Sequence, residues 1–120
     1  MKLLIIDDNQ PLAEGLVAYF EDVGVEGVIA DSAEKAKILF LQQPFDGAIV
    51  DFYLPGADGV RWVQWALEKK PNFRWVLYTG SLSYNLSKRL QGVGLSDRWV
   101  FRKPKACADD LLAALSIGMK

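Results

Sequence analysis

Three apolar runs in this chain each stop at an oxygen-bearing side chain: Lys2 to Ile6 at Asp7-Asp8, Ala48-Ile49-Val50 at Asp51, and Phe73 to Tyr78 at Thr79. A short apolar run without polar alternation is the pattern of a strand buried on both faces, as in a parallel sheet. Because each run ends in an acid or a hydroxyl, the carboxyl ends of such strands gather polar chemistry along one edge.

The segments between the runs have helical spacing. Asn9 is placed to cap a helix with Pro11 in its first turn, Leu12, Leu16, Tyr19, Phe20 and Val23 recur along one face, and Gly24 ends it. Val25 to Ala30 gives a second strand, weakened by Gly27, and Asp31-Ser32-Ala33-Glu34 is a capping box that opens a helix to about Gln43, closed by Pro44. The turn residues Pro55 to Gly59 lead into a helix from about Gly59 to Lys69. A weaker helix from Ser83 to Gln91 follows the fourth strand. Then come a strand through Trp99-Val100-Phe101, the pair Lys103-Pro104, and a last helix around Leu111, Leu112 and Leu115. Five strands alternating with five helices predict an α/β, doubly wound, five-stranded parallel sheet with right-handed crossovers. Ligands of such sheets sit at the carboxyl ends of the strands, near the point where strand order reverses. Asp7, Asp8, Asp51, Thr79 and Lys103 all fall at that edge.

Length and composition narrow the chemistry. At 120 residues the chain is expected to form one domain, 1–120, and its 51% apolar and 24% charged residues suit a folded protein. A formal net charge of −1 argues against direct binding to nucleic acid or to an acidic membrane surface. The single cysteine, Cys107, cannot form an internal disulfide, and no leader or long apolar run is evident, so a reducing cytoplasm is the expected location. Histidine is absent, which excludes Ser-His-Asp and Cys-His machinery and the usual zinc sites.

Carboxylates, hydroxyls and lysines therefore carry whatever reaction occurs. Three carboxylates at one spot repel one another and call for a counter-charge, for which a hard divalent cation is suited. Magnesium takes oxygen ligands in an octahedron, commonly one or two carboxylates with water and phosphate oxygens. Asp8 and Asp51 are the candidate direct ligands, Asp7 acts directly or through water, and a loop carbonyl near Tyr53 is a further candidate. If Asp51 attacks phosphorus, negative charge spreads over the equatorial oxygens. Lys103 then pairs with one phosphoryl oxygen and the Thr79 hydroxyl donates to another. Taken singly, Asp7-Asp8 is equally a solvated strand end or cap, Thr79 a strand residue, and Lys103 a surface charge. The constellation is what points to a site. Among the tryptophans, Trp62 shares a broad helical face with Val60, Val63, Ala66 and Leu67 and belongs to the core, Trp75 packs within a strand, and Trp65 lies outside that face.

Together Ile5-Ile6-Asp7-Asp8-Asn9, the run Val50 to Gly59, Tyr78-Thr79-Gly80 and Lys103-Pro104, in that order and spacing over essentially the whole chain, closely resemble the receiver domains of bacterial two-component response regulators. The resemblance implies a flavodoxin-like sheet in order 2-1-3-4-5, phosphotransfer from a histidine kinase or phosphotransfer protein to Asp51, magnesium dependence, slow hydrolysis and a cis Lys103-Pro104 bond. It also implies an output face over 83–91 and 99–118 that admits homodimerisation, with no enzymatic role beyond the domain's own phosphotransfer and dephosphorylation. Two departures stand out. Val100 holds the place, three before the lysine, where family members carry Tyr or Phe, and the stretch Val93 to Arg98 is longer than usual. The hydrolysis-tuning positions are Tyr53 and Ser81, and the bulk of Tyr53 is expected to screen an acyl phosphate. Two other functions stay open: a receiver-like interaction module that is never phosphorylated, and a magnesium-dependent aspartyl phosphohydrolase. The hydrolases that resemble the haloacid dehalogenase family want an acid two residues after the nucleophile, where Tyr53 stands. A nucleotide-binding domain is weaker still, because neither G-x-G-x-x-G nor G-x-x-x-x-G-K-[ST] occurs.

Overall fold

The computed structural model describes residues 1–55, 57–80, 85–103 and 108–117. Five strands, β1 (Lys2–Ile6), β2 (Glu26–Ala30), β3 (Gly47–Val50), β4 (Arg74–Thr79) and β5 (Val100–Arg102), form one parallel sheet in order β2-β1-β3-β4-β5. This is the doubly wound order expected from the sequence. The register sets Ile6 beside both Ala30 and Val50, and Leu77 beside both Val50 and Val100. Backbone bonding continues one step past the strands: Asp7 N–H donates to Ala30 O at 3.0 Å, Asp51 N–H to Ile6 O at 2.9 Å, and Lys103 N–H to Thr79 O at 2.9 Å. The polar residues after β1, β3 and β5 are thereby tied to the neighbouring strands.

The helices are α1 (Gln10–Asp22), α2 (Ala33–Gln42), α3 (Gly59–Lys69), α4 (Asn85–Gly92) and α5 (Ala108–Ile117). Alternating strand residues feed two separate cores. Leu4, Ile6, Val50, Trp75 and Leu77 pack toward α2, α3 and α4, with Trp62 and Leu90 among them. Leu3, Ile5, Ile49 and Val76 pack toward α1 and α5, against Phe20, Leu111 and Leu115. Burial on both faces explains why the strands are apolar throughout. Trp62 and Trp75 are core residues, as expected. Trp65 also packs, edge-on to Phe40, while the Lys37 and Lys69 ammonium groups stand 5.3 and 5.8 Å from its ring centroid.

Helix ends follow their caps. Asn9 Oδ1 accepts from Leu12 N–H at 3.3 Å. At the far end of α1, Gly24 takes φ +80°, its N–H donates to Glu21 O and Val25 N–H donates to Phe20 O, the left-handed closure that favours glycine. The capping box expected at Asp31 is displaced by one residue: Ser32 caps α2 and accepts from Lys35 N–H at 3.2 Å, while Asp31 pairs with the Lys35 ammonium. Ser at a cap competes on equal terms with Asp, so the motif alone did not settle the start. Trp99 ends a 3-10 turn, Asp97–Trp99, so β5 begins at Val100. An unforeseen antiparallel ribbon pairs Tyr53–Leu54 with Ala57–Asp58. The expected start of the fourth helix at Ser83, the Pro104 peptide bond, Ser81 and Cys107 lie outside the described residues. Among the described residues no helix is long and apolar enough to cross a membrane.

Candidate functional site

Strand order reverses between β1 and β3, because α1 leads to β2 on one side of β1 and α2 returns the chain to β3 on the other. The crevice at that reversal is flanked by Asp7 and Asp8 after β1 and by Asp51 after β3. One carboxylate oxygen from each of the three lies within 4.8 Å of the others. In an octahedron with metal–oxygen distances of about 2.1 Å, ligand oxygens stand roughly 3 to 4 Å apart, a spacing near that of this set. The all-oxygen chemistry of the donors fits the same ion.

Lys103, after β5, reaches back across the sheet edge. Its ammonium donates to Asp7 Oδ2 at 2.6 Å and stands 3.5 Å from Asp51 Oδ2. Asp7 is almost fully buried, and its Oδ1 accepts from Asn9 N–H at 2.9 Å, so both of its oxygens have donors. Burial is the largest influence on Asp51 and pushes its carboxyl above the usual carboxylate range. The charge of Lys103 opposes that push, the charge of Asp7 adds to it, and hydrogen bonds from Tyr53 N–H and Lys103 oppose it without reversing it. Thr79 is the buried last residue of β4, joined to Lys103 through its carbonyl. Tyr53, 55% exposed, opens the ribbon opposite Asp58. The structure thus brings Asp7, Asp51 and Lys103 into contact, puts Asp8 at the rim, and sets Thr79 on the neighbouring strand end.

Two features escaped the sequence. A Cβ on Gly59 would stand 2.3 Å from Asp51 O and 3.1 Å from Phe52 Cα, so only glycine lets α3 begin against the Asp51 backbone. Asp58-Gly59 had signalled a turn, and nothing in its spelling announced that approach. Asp58 caps α3 by accepting from Arg61 N–H at 2.9 Å and pairs with Arg89 of α4 at 2.7 Å. Burial pushes its carboxyl up, but the hydrogen bonds from Arg89 and Arg61 N–H and the two guanidinium charges outweigh that and hold it below the usual range.

A doubly wound sheet with an acidic crevice at its carboxyl edge, closed by a lysine from the last strand, defines a receiver-type signalling domain. The chain belongs to the response regulator receiver domain family, whose model matches residues 3–115. It is 31% identical over 113 residues to the photosynthetic apparatus regulatory protein RegA of Rhodovulum sulfidophilum, covering 94% of this chain and 60% of that protein. It is 29% identical over 104 residues to the virulence sensor protein BvgS of Bordetella bronchiseptica, covering 81% of this chain and 8% of the other. Among solved structures, a CheY-like receiver domain protein of Methanospirillum hungatei superposes with a TM-score of 0.85 at 24% identity over 97% of this chain and 90% of that one. A response regulator of Burkholderia pseudomallei, with a phosphorylated aspartic acid, calcium ion and citrate, gives 0.81 at 28% identity over 95% and 65%. The chain's function is that of its family, phosphorylation-dependent two-component signalling. Receiver domains generally bind magnesium at an acidic pocket and interact with histidine kinases or phosphotransfer proteins.

Proposed function

We propose that Asp51 is the phosphoacceptor of this domain, with Asp7, Asp8, Thr79 and Lys103 as its partners. One observation carries the assignment: the Lys103 ammonium is shared by Asp7 and Asp51 at the reversal point of the sheet. Asp51 attacks phosphorus as a carboxylate, a P–O bond forms, and the bond to the donor breaks; with a phosphohistidine donor the leaving group is the imidazole nitrogen. Lys103 is held where the new phosphoryl charge appears and pairs with one equatorial oxygen, while the Thr79 hydroxyl donates to another. Asp8, Asp51 and the Tyr53 carbonyl, with Asp7 directly or through water, would hold magnesium, which would neutralise the developing phosphoryl charge. The phosphorylated aspartic acid and calcium ion of the Burkholderia pseudomallei neighbour support this assignment.

In this reading the domain accepts its phosphoryl group in the cytoplasm from a histidine kinase or phosphotransfer protein. It catalyses only its own phosphorylation and dephosphorylation, and its output, homodimerisation included, runs through α4, β5 and α5. Tyr53, in the place where a phosphohydrolase of this chemistry needs an acid, disfavours turnover of a metabolite. Incubation with acetyl phosphate and magnesium is expected to add one labile phosphate by intact mass, absent from Asp51→Asn and from a chelated sample. An adduct that persists in Asp51→Asn would move the acceptor elsewhere.

A further inference from the structure

Arg89 lies on α4 and takes no part in the acidic crevice, yet it grips both ends of the segment that follows Asp51. Its Nη1 stands 2.7 Å from Asp58 Oδ2, and its guanidinium carbon is 5.6 Å from the Phe52 ring centroid. Phe52 and Asp58 bound a closed loop: Gly59 N–H donates to Phe52 O at 2.7 Å, and Gly59 itself abuts the Asp51 carbonyl. Phe52 meets the exposed Tyr53 ring edge-on, with centroids 4.7 Å apart. The Tyr53 N–H in turn donates to the Asp51 carboxylate. A cation on α4 therefore adds to the core packing of Phe52 and anchors Asp58, the two residues on either side of the stretch whose Tyr53 N–H bonds the Asp51 carboxylate, a side chain only 13% exposed. Both Asp58 oxygens are engaged, one by Arg89 and one by the Arg61 N–H, so the loop is tied to α3 and α4 at once.

Resting on Asp51 as the acceptor, we infer that Arg89 is a positioning residue that braces Phe52 and Asp58, steadies the Tyr53 N–H against Asp51 and so lengthens the life of the acyl phosphate. Loss of that phosphate requires water to attack phosphorus in line with the bond to Asp51. A P–O bond to water forms, the bond to Asp51 breaks, and the carboxylate and inorganic phosphate separate. A segment no longer braced by Arg89 admits that water more often.

The test follows the decay of the phosphorylated mass after removal of acetyl phosphate, in the presence of magnesium, for wild type, Arg89→Gln, Arg89→Lys, Asp58→Asn and the Asp58→Asn/Arg89→Gln double variant. Asn caps a helix about as well as Asp, so Asp58→Asn removes the charge and spares α3; it also serves if Arg89→Gln folds poorly. Arg89→Gln and Asp58→Asn are each expected to decay about threefold faster, in keeping with a partly exposed ion pair. The double variant should decay no faster than Arg89→Gln alone, and Arg89→Lys should approach wild type. A wild-type lifetime in Arg89→Gln, or single effects that multiply in the double variant, overturns the inference while leaving Asp51 as the acceptor. If wild type takes up no phosphate, the acceptor assignment falls and this inference with it.

Discussion

Lys103 makes it possible for Asp7 and Asp51 to share a partly buried crevice, but it does not cancel the cost for Asp51. The folded state holds the Asp51 proton to higher pH than the unfolded chain does. Stability from this group is therefore complete below the ordinary carboxyl value of 3.8 and is lost as pH rises through the higher folded value. Asp58 has the opposite sign: its stabilisation is present above 3.8 and is lost as acid protonates it in the fold. Without divalent cation, Asp51→Asn is expected to unfold at a higher temperature than wild type at neutral pH, and Asp58→Asn at a lower one. The Asp51 difference should shrink as the pH falls below 3.8, where that carboxyl is protonated in either state, and the Asp58 difference only as acid reaches its lower folded value. An Asp51→Asn variant less stable than wild type at neutral pH would show that Lys103 outweighs burial. The acids and Lys103 were legible because each ends an apolar run or follows one. The pairing of Asp58 with Arg89 was not, since neither local spacing nor periodicity links two exposed-looking charges on separate elements.

At the scale of elements, glycine marks the difference between pattern and contact. Gly59 and Gly15 both begin or interrupt helical pattern, yet a Cβ at Gly59 meets backbone at 2.3 Å while one at Gly15 meets nothing within 4 Å. Gly59→Ala is expected to cost about 1–3 kcal/mol, as overpacking against an immovable neighbour does. Gly15→Ala, within α1, should stabilise by about 0.5–1 kcal/mol. Urea midpoints of the two variants check both, and equal effects would contradict the close approach at Asp51. Within β5 the side chains alternate: Val100 packs with the α2, α3 and α4 core and Phe101 with the α1 and α5 core. Trp99, just before the strand, touches both. The start of α2 was off by one residue because adjacent Asp31 and Ser32 are both good caps, and the Tyr53–Leu54 ribbon was missed because two-residue strands leave no periodicity to detect.

At the scale of the molecule, the fold was legible because its sheet is buried on both faces, which writes continuous apolar runs into the sequence and aligns their polar ends. What was not legible is how α4 connects to the loop after Asp51, a matter of packing between layers. A ligand that binds the folded crevice alone raises stability by mass action, about 2.7 kcal/mol when it exceeds its dissociation constant a hundredfold. Magnesium is therefore expected to raise the unfolding temperature of wild type in a concentration-dependent way and to leave Asp51→Asn much less affected. An equal rise in both would place the ion elsewhere.

The bond between Lys103 and Asp7 joins residues separated by 96 positions. A chain emerging from the ribosome has all its crevice acids long before it has the cation that neutralises them, and β5 must dock before that cation arrives. The crevice thus acquires its charge arrangement only once β5 has been made and docked, and a chain cut short before Lys103 lacks it.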